Sequence, residues 1–144
     1  MDDLETFWTL ESRTPAEVCC VNRAGLWFPC YFRFWVSWHG DYLVEWGRQR
    51  PGPELWSARE QPGVRHAEVE HPYGSSSMNA VQLALDTWGF DKAVVLGVHL
   101  TGPYAGYQSA WPPLKGTHGT RIRAIGGYAE QLFGRPDAAF LGEA

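Results

Sequence analysis

The chain lacks the features that mark a membrane protein or an exported protein. No apolar run reaches the roughly 18 residues that a membrane span needs, and the first residues, Met1 to Glu5, are acidic where a secretory signal is basic. It also lacks a block of Lys or Arg, and its formal net charge at pH 7 is −4. We therefore expect a cytoplasmic protein that binds neither membranes nor bulk nucleic acid.

Metal-ligating patterns are missing as well. The only three cysteines, Cys19, Cys20 and Cys30, have neither the spacing of a zinc site nor a redox CxxC. The five histidines are scattered, and there is no HExxH and no Asp-rich calcium loop. We predict no metal site and expect reduced, mostly buried thiols.

The most informative segment that is present runs from Tyr73 to Leu100. It reads as a glycine/serine turn, then a helix from about Ser76 to Trp88, then a buried strand from Ala93 to Val98. Ser75, Ser76 and Ser77 would lie where a helix has unpaired amides and partial positive charge, a place that suits a phosphate. The simpler interpretation is that these serines only cap the helix.

Strand and helix patterns alternate along the rest of the chain. They predict an open, mainly parallel α/β sheet, in which ligands bind at the carboxyl ends of the strands. We expect a central sheet that contains Val18 to Val21, Phe34 to Val36 and Ala93 to Val98. The other predicted elements are a helix over Leu4 to Leu10, a helix over Tyr42 to Gly47 capped by Asp41, extended pieces at Leu55 to Ala58 and Val64 to Glu70, a functional loop from Thr101 to Gly119, and a last helix from Thr120 to Phe133.

Three polar clusters follow the predicted strands: residues 22–25, residues 37–41, and His99 with the loop after it. We expect Asn22, the serine turn and His99 to surround one cleft. A histidine that titrates near neutral pH at such an edge could act as acid or base, so His99 is a candidate catalytic residue, as is His118. Asp41 could bind a ribose or Mg²⁺ instead of capping its helix.

Three segments carry a resemblance to a known family. They are Val21-Asn22-Arg23-Ala24-Gly25, the turn and helix start from Gly74 to Ala80, and the run from Trp88 to Val98. In these segments the chain resembles the Rossmann-like family of bacterial CMP-sialic-acid sialyltransferases and 6-hydroxymethylpterin diphosphokinase MptE-like proteins. The compact chain also resembles small proteins of bacteriophage genomes.

The resemblance implies a single three-layer Rossmann-like domain over residues 1–144, with a sheet of about 4–6 strands. It implies that a nucleotide is held by Asn22 and by Ser75, Ser76 and Ser77. It also implies that Tyr104 and Tyr107 approach the phosphates and that His118 is the counterpart of the sialyltransferases' general base. Arg23, in the polar cluster with Asn22, is a further candidate ligand residue.

Two functions follow as hypotheses. The first is a protein that binds a nucleotide or nucleotide sugar and acts as a small glycosyl- or phospho-transferase. The second is a non-catalytic binding module, of the kind that serves as a phage accessory protein, which keeps the fold and binds a partner or a small nucleotide. The families' first glycine-rich turn is absent here, which favours the second, whereas the concentration of His, Tyr and Arg after the last predicted parallel strand favours the first, so both stay open. Eight tryptophans suggest a stacking site or an oligomer contact, so self-association stays open.

Overall fold

The computed structural model of the chain describes residues 3–14, 16–70 and 75–143 and has a mixed α/β architecture. Two compact units are distinguished by their internal contacts: one consists of residues 17–89, and the other of the segments up to residue 16 and from residue 90. We call them the central unit and the terminal unit. The helices are α1 (Asp3–Arg13), α2 (Ala24–Trp27), α3 (Gly40–Gln49), α4 (Ser76–Gln82), α5 (Pro112–His118), α6 (Gly127–Phe133) and α7 (Ala138–Leu141).

A four-stranded parallel sheet forms the centre of the central unit, in the strand order β1-β2-β3-β4. Because neighbours in the sequence are neighbours in the sheet and all strands are parallel, every carboxyl end lies at the same edge. The strands are short: β1 (Cys19–Val21), β2 (Phe34–Val36), β3 (Glu54–Ser57) and β4 (Arg65–His66).

Helices cover both faces of this sheet. On one face the side chains of Cys20 and Trp35, which are paired in register, pack with Leu43 of α3. On the other face Val36 packs against Ala80 of α4 and against Leu83, which opens a π-helical turn, Leu83–Thr87. Apolar side chains on both faces explain why β1 and β2 read as continuous hydrophobic runs.

The terminal unit contains a two-stranded parallel sheet. Its strands are β5 (Ala93–Leu96) and β6 (Ile122–Ile125), paired from Ala93 with Ile122 to Leu96 with Ile125. Ile122 and Ala124 are fully buried, and α6 follows β6 directly. Within the described ranges no helix is long and apolar enough to cross a membrane.

Several predicted elements are confirmed. The opening helix, the strands at Phe34 to Val36 and Leu55 to Ala58, and the helix after the serine turn lie within a few residues of their predicted bounds. Of the piece predicted from Val64 to Glu70, only the two residues of β4 pair as a strand.

Other predictions are wrong. The strand predicted from Ala93 to Val98 exists, but it pairs with β6 and not with β1 or β2. The predicted loop from Thr101 to Gly119 is instead a 3₁₀ helix, Gly102–Ala110, followed by α5. Pro112 and Pro113 stand in the first turn of α5, where proline is tolerated, and the buried Trp111 and Leu114 anchor it.

The predicted last helix, from Thr120 to Phe133, is also wrong in its first half, which is β6. Gly126 and Gly127 have φ values of 95° and 61°, which do not occur inside a right-handed helix, so the chain turns at these two residues where β6 ends and α6 begins.

Candidate functional site

Asn22 begins the polar edge at the carboxyl end of the four-stranded sheet. It has a φ of 52°, a left-handed conformation that asparagine tolerates better than most residues. Its N–H donates to the Val36 carbonyl at 2.9 Å, and its own carbonyl accepts from Nε1 of the buried Trp35 at 2.7 Å. The sharp turn after β1 is therefore fixed from two sides.

Ser37 joins Asn22 to the chain that leaves β2. The Ser37 hydroxyl is fully buried, donates to Oδ1 of Asn22 at 2.8 Å and accepts from the N–H of His39 at 3.1 Å. Because this one hydroxyl both donates and accepts, it holds the residue after β1 and the residues after β2 in fixed positions relative to each other.

The peptide groups of Trp38 are held by two further buried serines. The N–H of Trp38 donates to Oγ of Ser76 at 2.9 Å, and its carbonyl accepts from Oγ of Ser57 at 3.3 Å. Ser57 also accepts from the N–H of Arg59 at 3.2 Å. We call Asn22, Ser37, Trp38, Ser57 and Ser76 the carboxyl-edge network.

The serine turn divides its three hydroxyls among different tasks. Ser75 caps α4, since its Oγ accepts from the N–H of Met78 at 3.3 Å. Ser76 is buried and belongs to the network, whereas Ser77 is only half-buried. Capping alone therefore accounts for Ser75 but not for Ser76. Gly74, which we also placed in this turn, lies outside the described residues.

Asn79 lies one turn along α4 from Ser76 and is fully buried. Neither atom of its side-chain amide has a hydrogen-bond partner in the described part of the chain. A buried amide without a partner is costly and in native proteins calls for a water, an ion or a ligand. The first two turns of α4 therefore contain a polar side chain whose hydrogen bonds the described residues do not satisfy.

A polar cavity opens beside the N-terminus of α3, between that helix and the chain that follows β3. Its volume is about 230 Å³, and its lining consists of Gly40, Asp41, Arg59, Glu60 and Gln61. Asp41 does not cap α3 as we predicted: the helix begins at Gly40, and no side chain caps it. Gly40 lies so close to Gln61 that a Cβ there would come within 2.8 Å of the Gln61 Cβ, so its lack of a side chain lets the helix begin earlier.

Arg23, the other predicted ligand residue of the central unit, is exposed immediately after Asn22. The structure thus links Asn22 to Ser76 through Ser37 and Trp38, which are neighbours in the chain. Arg23 directly follows Asn22.

His99 follows β5 in the terminal unit. Its Nε2 lies 3.9 Å from Oδ2 of Asp3, and both side chains are about half exposed. The junction between β6 and α6 holds its backbone, because the N–H of Tyr128 donates to the His99 carbonyl at 3.2 Å and a Cβ on Gly127 would come within 2.3 Å of the His99 Cα. This histidine has a fixed backbone and an accessible ring.

The remaining predicted site residues also belong to the terminal unit. Tyr104 and Tyr107 are exposed on the 3₁₀ helix, whose Gln108 donates from Nε2 to the Leu100 carbonyl at 2.9 Å. His118 ends α5 with Nδ1 at 2.6 Å from Oγ1 of Thr117. That Asn22 and His99 share one cleft stays a prediction.

Two arginines near the start of β6 have structural roles. Arg121 donates to the carbonyls of Phe90 and Asp91, and Arg123 donates to the carbonyls of Ile122 and Gly119. The bonds of Arg121 tie the start of β6 to the chain just before β5, within the terminal unit.

The cysteines are free thiols. Burial raises the pKa of Cys20 to about 12 and also raises that of Cys19, while Cys30 is exposed. The thiols of Cys19 and Cys20 are therefore protonated at neutral pH and are not nucleophiles. Among the described residues, no three His, Cys, Asp or Glu side chains form a group that could hold a metal ion.

Comparisons with protein-family models, with curated proteins and with solved structures find no match to this chain.

Sequence reasoning missed Ser57, Arg59 and Glu60. Ser57 lies in the predicted extended piece from Leu55 to Ala58, one residue before its end, and that position near the end of a strand was the available signal. Its partner in the network depends on tertiary structure, which the local pattern does not specify.

The network predicts that Ser76 has a structural role that Ser77 lacks. Ser76→Ala would leave the N–H of Trp38 without its partner, and we expect a loss of about 1–3 kcal/mol in the free energy of unfolding. Ser77→Ala removes a half-buried hydroxyl with no described partner and should change stability by less than about 0.5 kcal/mol. Urea denaturation of both variants beside the wild type measures the difference, and equal losses would contradict the role assigned to Ser76.

Proposed function

We propose that the protein binds a nucleotide or nucleotide sugar at the carboxyl edge of the four-stranded sheet, as a Rossmann-like protein of the kind that its sequence resembles. The observation that carries the proposal is the carboxyl-edge network, which joins Asn22 and the serine turn around Trp38. Parallel α/β sheets bind ligands at this edge. The resemblance assigns the nucleotide to the same two elements.

The groups that remain available at this edge suit a phosphate. The N–H groups of Ser76 and Ser77 stand in the first turn of α4, where a helix provides no internal acceptor, and the Ser77 hydroxyl has no described partner. Arg23 adds an exposed guanidinium beside Asn22 and can bind phosphate oxygens with two parallel hydrogen bonds.

A thermal-shift screen over nucleotides, nucleotide sugars and pterins tests the binding. A ligand at 100 times its Kd should stabilise the wild type by about 2.7 kcal/mol. Ser77→Asp places a negative charge where the phosphate would lie, so its affinity should fall at least about tenfold. The new carboxylate favours the helix dipole, so the variant should still fold.

The control is Ser12→Asp, which adds the same charge on the exposed side of α1 in the terminal unit. It should keep the ligand-induced shift of the wild type. If no compound raises the melting temperature, or if Ser77→Asp responds like the wild type, the binding proposal is wrong.

A transferase activity would need a general base, and the surroundings of His99 suit that role. His99 combines an accessible ring with a backbone fixed by Gly127 and Tyr128, and it follows the carboxyl end of β5. We therefore propose His99 as the general base of a glycosyl- or phospho-transferase, with His118 as the second candidate. The alternative is the binding module, which needs neither histidine.

Histidine variants separate the transferase from the binding module once a nucleotide is known. In a transferase, His99→Ala should lower turnover by about 10²–10⁴-fold while nucleotide affinity stays within about twofold. His118→Ala tests the second candidate in the same assay. If neither variant lowers turnover, or if no turnover is found with any nucleotide sugar that binds, the binding module is the better description.

A further inference from the structure

The cavity beside α3 has a lining that the nucleotide site does not use. Its side chains are two carboxylates, Asp41 and Glu60, one guanidinium, Arg59, and one carboxamide, Gln61. None of these four side-chain groups forms a hydrogen bond or an ion pair with another described residue. They are available to a ligand as a mixed set of donors and acceptors.

The balance of charge excludes the simplest ligands. Two carboxylates against one guanidinium repel a phosphate, and the guanidinium of Arg59 opposes a metal cation. The lining therefore suits a ligand that donates hydrogen bonds to the two carboxylates and also accepts hydrogen bonds from Arg59 and Gln61. Hydroxyl groups do both, and their bonds to carboxylates are among the stronger ones in proteins.

We propose that this cavity binds a neutral sugar ring, which is the glycosyl part of a nucleotide sugar if the proposed function holds. Its volume of about 230 Å³ is below the ~300–1,000 Å³ typical of pockets for drug-sized ligands and gives room for a single ring.

The cavity also lies where the sugar of a nucleotide sugar would be expected if its phosphate bound at the start of α4. The N–H of Trp38 binds Ser76 at the start of α4, and its carbonyl binds Ser57, which in turn accepts from Arg59. The guanidinium of Arg59 lies 6.0 Å from the centre of the Trp38 ring. One residue, Trp38, thus separates the phosphate side from the sugar side of the edge.

Free monosaccharides test the cavity without any phosphate. We would titrate the ¹⁵N-labelled protein separately with ribose, glucose, galactose and N-acetylglucosamine and record amide shifts. At least one sugar should shift the signals of Gly40, Asp41 and Gln61 in a saturable way. Asp41→Asn and Glu60→Gln should each weaken that binding by about 3- to 10-fold.

Glu45→Gln is the matched control, since it removes the same charge from an exposed position of α3 that does not line the cavity. It should bind as the wild type does. Saturable shifts confined to the cavity support the proposal. It is overturned if no sugar shifts these amides, if the shifts do not saturate, or if Asp41→Asn and Glu60→Gln bind like Glu45→Gln. None of these sugars carries phosphate, so a negative result with them does not contradict the proposed nucleotide site. In the same way, a negative nucleotide screen does not contradict sugar binding measured in this titration.

Discussion

The hydrogen bonds that fix Trp38 at the end of β2 are the constraint on which the central unit's polar edge depends. A chain leaving a parallel strand exposes unpaired peptide groups, and here Ser76 satisfies the N–H of Trp38 while Ser57 satisfies its carbonyl. Ser37 adds a bond to Asn22, so three strand ends and the start of α4 are joined through short side chains. Serines suit this role because each hydroxyl can donate and accept at once.

Along this edge, the polar groups that hold the backbone differ from the polar groups that are free to contact a ligand. Hydroxyls that hold the backbone, such as those of Ser37 and Ser57, are fully buried and engaged. The groups outside them, which are Ser77, Arg23 and the four side chains that line the cavity beside α3, are exposed or half-buried. An edge of this kind can bind a ligand without rearrangement, because the bonds that shape it are complete before the ligand arrives.

The sequence predicted the elements better than their pairing. Apolar runs located β1, β2 and β5, and the Ser75 cap located the start of α4, because these signals are local. The partner of β5 was not predicted because Arg123 interrupts the apolar pattern of β6 and because the sequence pattern alone does not show that Gly126 and Gly127 have positive φ values. At the site, Asn22 and Ser76 were predicted to lie together, while Ser57 and the cavity depend on contacts between distant segments.

A crystal structure of the protein grown with a nucleoside diphosphate tests the central claim most directly. We predict that the diphosphate lies within about 2.7–3.2 Å of the N–H groups of Ser76 and Ser77, with Arg23 at a phosphate oxygen and the carboxyl-edge network unchanged. A diphosphate bound away from the edge formed by Asn22, Trp38 and Ser76 would contradict the account.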